Sequence, residues 1–433
     1  MKILPFDESF FEEFNNKTHI IDTLKEYLKN YPENSCKSIL VEEEYIDKNY
    51  LIDYVNYYAR CFLSPKRIVQ RIHFFSLDDE TLKNIFMSSN EYDKSNDTLQ
   101  KNYLGFTILK DLNNRIVGKT VLKVYPTDNS NNRYFGVTFK NEINLFGFQL
   151  LIDSVPFQEQ DRATAACASI SIWSSMEILE HKFKVNFAKA ASEITEIANE
   201  CRVSSGTVYP SNGLNVYQIL YFFRTMGYEG LYIKNKSDDF YREMIMSYLD
   251  FGLPIIALLN LQEGKNKADR HTALITGYRI DEDGKIIEFY VHDDQIGPFI
   301  KTEFINNEIT KWSNEWKTKH NNDISLTEVI IPIYPKIRVP FEEIYFKKQE
   351  EENEGDQECD FTILLSDVNT YKQDIRKGLL KVEEESILLN NMSKYFWIIR
   401  TSYGDQIVKD IIFDATKNDI KNPINVKYNF NKN

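Results

Sequence analysis

The clearest structural signal in this sequence is a cysteine placed directly before a run of apolar residues at helical spacing. The stretch runs Gln160-Asp-Arg-Ala-Thr-Ala-Ala-Cys167-Ala-Ser-Ile-Ser-Ile-Trp173. Apolar residues then recur along one helical face, which predicts an amphipathic helix that starts at the cysteine: Ala168, Ile172, Met176, Leu179 and Phe183. A thiol at the start of a helix meets the positive end of the helix dipole and unpaired N–H groups, which favour the thiolate. Cys167 is therefore a candidate nucleophile that needs a base.

His271 is the candidate base, because the sequence around it predicts an antiparallel ribbon. Residues 253–260 form an apolar run typical of a buried strand, and His271 opens a second apolar run after a polar loop. The turn-forming residues 281–284 then return the chain as a third strand that ends at Asp293. Residues 271 and 293 should lie near the same open end of this hairpin. A carboxylate there would orient the imidazole and stabilise its protonated form.

This order of residues resembles the papain-like cysteine peptidase superfamily. Within that superfamily it is most similar to the bacterial branch that contains the peptidase domains of bacteriocin-exporting transporters, the double-glycine peptidases. Their closing signature, Tyr-Val-x-Asp-x-x-x-Gly, is matched by residues 290–297, and the resemblance covers residues 154–300. It implies that Cys167 is the nucleophile, His271 the base, Asp293 the orienting acid and Gln160 an oxyanion-hole donor. The small residue that often follows the family's cysteine is Ala168 here.

Two assignments have an alternative in the sequence. Gln158 lies two residues before Gln160, and side chains at that spacing point the same way in an extended segment. Spacing to the cysteine favours Gln160. Asp294 directly follows Asp293 and is the alternative for the orienting acid.

Length and pattern predict an α+β protein of more than one domain. The chain has 433 residues, of which 42% are hydrophobic, enough for extended cores. We expect an N-terminal α+β domain over 1–150, a papain-like domain over 151–335 and a C-terminal α+β region over 336–433. The papain-like core should join a helical half, headed by the cysteine helix, to an antiparallel sheet that carries the histidine and aspartate. An acidic loop over 349–360 is expected near the start of the C-terminal region.

Charge and cysteine usage exclude several classes of partner and compartment. A net charge of −13 argues against nucleic acid or an anionic membrane as the main partner. The dispersed, odd set of cysteines favours a reducing compartment over a disulfide scaffold: Cys36, Cys61, Cys167, Cys201 and Cys359. The histidines do not cluster with these cysteines, so we expect no structural zinc site, and no nucleotide or cofactor motif is present. Without a signal peptide or a membrane-length apolar run, the expected location is the cytoplasm.

The sequence therefore predicts a cysteine-dependent hydrolase that cleaves a peptide or isopeptide bond through a thioester. Two alternatives remain at this stage. The papain-like module could be inactive or latent and bind a protein or peptide partner. The same residues could also serve a transamidase or deamidase, because nothing in the sequence fixes the acyl acceptor as water.

Overall fold

A computed structural model describes residues 1–15, 17–32, 34–62, 65–89, 91–127, 132–161, 167–185, 187–201, 213–263, 269–314, 322–355 and 358–429. Within these ranges the protein combines helices with antiparallel sheets. The α+β prediction is confirmed.

The N-terminal region is built around a five-stranded antiparallel sheet in sequential order. Its strands are β1 (Lys2–Pro5), β2 (Ser38–Tyr45), β3 (Val69–Phe75), β4 (Tyr103–Leu109) and β5 (Val117–Leu122). Its helices are α1 (Glu8–Asn15), α2 (Ile20–Lys29), α3 (Lys48–Asn56), α4 (Asp79–Met87) and α5 (Tyr92–Asn102). Three further strands follow, namely β6 (Arg133–Tyr134), β7 (Phe139–Leu145) and β8 (Phe148–Ser154), of which the last two form a hairpin.

The middle of the chain contains a helical part and a second antiparallel sheet. Its helices are α6 (Cys167–Phe183), α7 (Ala191–Asn199), α8 (Val216–Thr225) and α9 (Asp238–Asp250). Its strands are β9 (Glu229–Lys234), β10 (Ile255–Glu263), β11 (Asp269–Ile280), β12 (Ile286–Asp293), β13 (Gly297–Phe304), β14 (Lys311–Ser313) and β15 (Asn322–Ile333). The predicted ribbon is present as β10, β11 and β12, and the described part of the cysteine helix runs from Cys167 to Phe183.

The strands β10 to β15 pair in sequence order, and β15 also pairs back with β10, which closes these strands into a ring. The short strand β6 joins this sheet along β11. Helix α6 packs against β11 and β10. Its first described residue, Cys167, interacts with His271 near the start of β11. This packing places Cys167 and His271 in the same part of the molecule.

Helix α6 is more completely buried than its amphipathic pattern indicates. Its serines are buried together with its apolar residues. Their hydroxyls are satisfied internally: Ser175 donates to the carbonyl of Ser171 at 2.7 Å, and Ser174 donates to the carbonyl of Pro156 at 2.9 Å. A buried hydroxyl that finds a backbone acceptor costs little, so small polar residues can line a buried helix.

Among its described residues, the C-terminal region contains a four-stranded antiparallel sheet and two α-helices. The elements are α10 (Phe341–Glu354), β16 (Asp360–Asp367), α11 (Val368–Arg376), β17 (Tyr395–Tyr403), β18 (Gln406–Asp414) and β19 (Ile424–Lys427). The main core of the middle region continues into this sheet through Ile363 and Trp397. Among the described residues, no helix combines the length and apolarity required to cross a bilayer.

The prediction of an acidic loop over 349–360 is wrong for most of that segment. Helix α10 continues through it to Glu354, and strand β16 begins at Asp360. Lys348 explains the difference, because its ammonium contacts Glu352 one turn on at 2.8 Å and Glu243 of α9 at 2.9 Å. Pairing at (i, i+4) offsets the repulsion within the acidic run, and buried Phe341 fixes the start of the helix.

Candidate active site

Cys167 is the first described residue of α6 and is partly exposed. The residues that follow it on the helix are buried, which fixes the position of this end of the described helix. The amino end of a helix presents N–H groups without intrahelical partners and a partial positive charge. An anionic sulfur or a developing oxyanion is stabilised in this position. Residues 162–166, which precede the cysteine, lie outside the described part of the chain.

His271 lies on β11 opposite Leu259 of β10 and is almost completely buried. Its Nε2 atom is 2.9 Å from Oδ2 of Asp293. Burial by itself lowers the pKa of His271. Its interactions with the Asp293 carboxylate and then with the Cys167 thiol outweigh this and raise the pKa well above 6.5. Because Nε2 faces Asp293, Nδ1 is the ring nitrogen left for Cys167.

Asp293 ends β12 and is held from two directions. Its Oδ1 accepts the N–H of Gln295 at 3.0 Å, while Oδ2 faces His271. The turn that follows is tight, since the carbonyl of Asp293 accepts the N–H of Ile296 at 3.1 Å. Gly297 closes it with φ +150°, and a Cβ atom there would lie 2.7 Å from Cγ2 of Thr23 on α2. The carboxylate that meets His271 therefore sits on a turn with little freedom.

Asp294 is buried beside this pair, and its carboxylate points toward the same histidine. Its Oδ1 is 3.9 Å from Nε2 of His271. Burial raises the pKa of Asp294 to about 7; the positive charge of His271 lowers it, Asp293 raises it and Arg115 lowers it again. Of the two candidate acids, Asp293 makes the hydrogen bond to His271 and Asp294 does not.

Gln160 reaches the site through its backbone. Its N–H donates to the carbonyl of Asp294 at 3.4 Å, so the glutamine segment lies against the turn that carries both aspartates. Gln158 and Gln160 are both buried. The backbone contact places the segment but does not decide which glutamine amide faces the sulfur.

Residues of the N-terminal region hold both the glutamine segment and the aspartate turn, and no sequence pattern predicted these contacts. Glu159 accepts hydrogen bonds from Thr18 and from the N–H of Val117, and Tyr58 donates to the carboxylate of Asp161. The imidazole of His19 contacts the carbonyl of Gln295 in the aspartate turn. The available signal was weak: Glu159 is a charged residue inside an otherwise buried extended segment.

Comparisons with known proteins add little to this geometry. No family model matches the chain, and no curated protein matches it either. Among solved structures, the peptidase domain of Streptococcus ComA, a bifunctional ABC transporter involved in a quorum-sensing pathway, aligns at 13% identity and a TM-score of 0.24. The alignment covers 41% of this chain and 96% of that domain. A likeness of this strength does not establish a shared fold or activity.

Proposed function

We propose that this chain is a papain-like cysteine peptidase that hydrolyses a peptide or isopeptide bond. The observation that carries the proposal is the position of the His271 ring, which interacts with the Asp293 carboxylate on one side and with the Cys167 thiol on the other. This is the geometry that a nucleophile, a base and an orienting acid require. The substrate is a protein or peptide, and the reaction uses no cofactor.

The proposed reaction proceeds in two steps. The sulfur of Cys167 attacks the carbonyl carbon while His271 accepts the thiol proton. His271 then passes that proton to the leaving amine, and a thioester remains on the sulfur. In the second step His271 removes a proton from water, the hydroxide attacks the thioester, and the carboxylate product leaves as the thiol is restored. Asp293 stabilises the imidazolium in both steps.

The oxyanion formed in each step needs hydrogen-bond donors. The backbone N–H of Cys167, at the start of α6, and the side-chain amide of Gln160 fill this role in the proposal. The role of Gln160 as a donor is supported by the position of its segment, which lies against the aspartate turn. The group that accepts the acyl chain in the second step is water in this proposal.

The first test is the rate at which each cysteine reacts with iodoacetamide. Cys36 is a built-in control, because burial raises the pKa of its thiol to about 12. We expect Cys167 to react fastest, and His271→Ala to slow it by roughly tenfold or more while the other cysteines keep their rates. A reaction no faster than that of the partly exposed Cys61, Cys201 and Cys359 would contradict the proposal.

A second readout measures acyl transfer itself. p-Nitrophenyl acetate should release one equivalent of nitrophenol per chain in a rapid burst, followed by slower turnover. Cys167→Ala should abolish the burst, and Asp293→Asn should slow it by at least about tenfold because the imidazole loses its orienting partner. A burst that survives Cys167→Ala would assign the chemistry to another residue.

A further inference from the structure

The carboxylate of Asp294 is an unusual group for a protein interior. Neither of its oxygens has a hydrogen-bond partner among the described residues, and the residue is 3% exposed. Burying a carboxylate without partners is costly, so such a group in a folded protein calls for a counterpart. Its Oδ1 lies 3.9 Å from Nε2 of His271.

Ligand atoms of His271, Asp293 and Asp294 all lie within 4.8 Å of one another, and all three residues are buried. An imidazole nitrogen with carboxylate oxygens is a donor set that Zn²⁺ accepts. Bond lengths to zinc near 2.1 Å put tetrahedral ligands roughly 3.4 Å apart. The distances from Nε2 to the two carboxylates, 2.9 and 3.9 Å, lie on either side of this value.

The neighbouring histidine does not take part. The ring of His292 lies on the other side of the strand, between the rings of Phe157 and Phe299 at centroid distances of 5.5 and 4.6 Å. The guanidinium of Arg115 is near enough to lower the pKa of Asp294, and it contacts Glu159 at 3.4 Å. The position between His271 and the two aspartates is bordered by one imidazole nitrogen and by carboxylate oxygens, which are donors that a cation needs.

We propose that His271, Asp293 and Asp294 form a binding site for a divalent transition-metal ion, with Zn²⁺ the best match. The ion takes the place of the proton that Nε2 shares with Asp293, and that proton passes to solvent. The remaining coordination positions are filled by water. Mg²⁺ and Ca²⁺ prefer sites made of oxygen ligands alone and fit this set less well.

Binding at this position switches the proposed peptidase off. A metal-bound imidazole no longer donates to Asp293, so His271 loses the partner that supports its role as a base. This consequence depends on the proposed function, whereas the cation site itself does not. Changes at Asp294 distinguish the cation site from the proposed peptidase function, because Asp294 is a ligand in the metal site and has no assigned step in catalysis.

The test is a calorimetric titration of the metal-stripped full chain with Zn²⁺. We expect one ion per chain in the wild type and in Cys167→Ala, and at least a tenfold weaker affinity in Asp294→Asn. Asp283→Asn, in an exposed turn, is the matched control and should bind like the wild type. Thermal melting without metal checks that Asp294→Asn is folded; if it is not, His271→Gln takes its place and should also lose the ion.

Three results would overturn the site: no stoichiometric binding by the wild type, unchanged affinity in Asp294→Asn, or loss of binding in Cys167→Ala. The effect on the reaction has its own measurement. Zn²⁺ should slow iodoacetamide alkylation of Cys167 in the wild type and leave the rate in Asp294→Asn unchanged. If Cys167 shows no enhanced reactivity at all, the proposed peptidase fails, but the titration of Cys167→Ala still decides the metal site.

Discussion

Val117 and Glu159 exchange two hydrogen bonds: the N–H of Val117 donates to Oε2 of Glu159 at 3.1 Å, and the N–H of Glu159 donates to the carbonyl of Val117 at 3.0 Å. Thr18 adds a third bond, from its hydroxyl to Oε1 at 2.6 Å. These contacts join the last strand of the N-terminal sheet and the start of α2 to the segment that carries Gln160. The candidate site is therefore supported from outside the region that the sequence resemblance covers.

Replacing Glu159 should destabilise the protein. Glu159→Leu leaves the N–H of Val117 and the hydroxyl of Thr18 buried without an acceptor, which we expect to cost about 3 kcal/mol of unfolding free energy. Urea denaturation measures the loss, and Glu142→Leu on an exposed position of β7 is the control. If the two variants unfold at the same urea concentration, the Glu159 contacts contribute nothing to stability.

Removing residues 1–150 should disable the candidate site. The deletion takes away the partners of Glu159 and of Asp161, and it also removes β6 from the edge of β11. We expect the fragment 151–433 to melt without a cooperative transition and to lose the rapid alkylation of Cys167. Co-expression with residues 1–150 should restore both properties. A fragment that melts cooperatively and alkylates at the full-length rate would show that the N-terminal region is dispensable for the site.

The roles of Gln160 and Gln158 can be distinguished by two reactions, of which only one requires an oxyanion donor. Loss of an oxyanion donor typically slows acyl transfer about 10²-fold, whereas alkylation by iodoacetamide forms no oxyanion. Gln160→Ala should therefore slow the p-nitrophenyl acetate burst by about that factor and leave alkylation of Cys167 unchanged. Gln158→Ala is the matched control, with both rates expected near wild type. The opposite pattern would assign the oxyanion role to Gln158.

His73 should make the protein less stable in acid. Its ring is fully buried between Tyr103, which contacts Nδ1 at 2.8 Å, and Glu42, which contacts Nε2 at 3.1 Å. Burial lowers the pKa of His73 from 6.5 to about 4, although Glu42 acts in the opposite direction and Arg71 lowers the pKa further. Between these pH values the unfolded chain binds a proton that the folded chain does not. Stability is therefore fully present above pH 6.5 and falls as the pH drops toward 4.

The lowering of the His73 pKa from 6.5 to about 4 corresponds to a loss of about 3 kcal/mol of unfolding free energy as the pH falls across that range. Unfolding free energies measured by urea at several pH values should show the decline in the wild type. His73→Gln cannot be protonated and should have a shallower decline over the same range. An identical pH dependence in both proteins would assign the acid sensitivity to other groups.

Local sequence pattern predicted those parts of the site that are formed by residues close together in the sequence, namely a helix and a hairpin. Apolar spacing predicted the helix that carries Cys167, and Asp293 meets His271 because the β11–β12 hairpin brings the start of one strand beside the end of the other. The same reasoning failed for the acidic segment that became part of α10. Its helix is stabilised by the contact between Lys348 and Glu243, which lie far apart in sequence.

Local pattern in the sequence predicted the nucleophile candidate, the histidine and the pair of aspartates that follows it, since each stands at an edge of a predicted element. The hydrogen bond of His271 to Asp293 instead of Asp294 depends on the three-dimensional fold, as does the burial of Asp294 without a hydrogen-bond partner among the described residues. The contacts of Thr18 and Val117 with the Gln160 segment depend on it as well. These contacts join residues that are distant in the chain, and their energies come from burial and long-range pairing, which sequence periodicity does not encode.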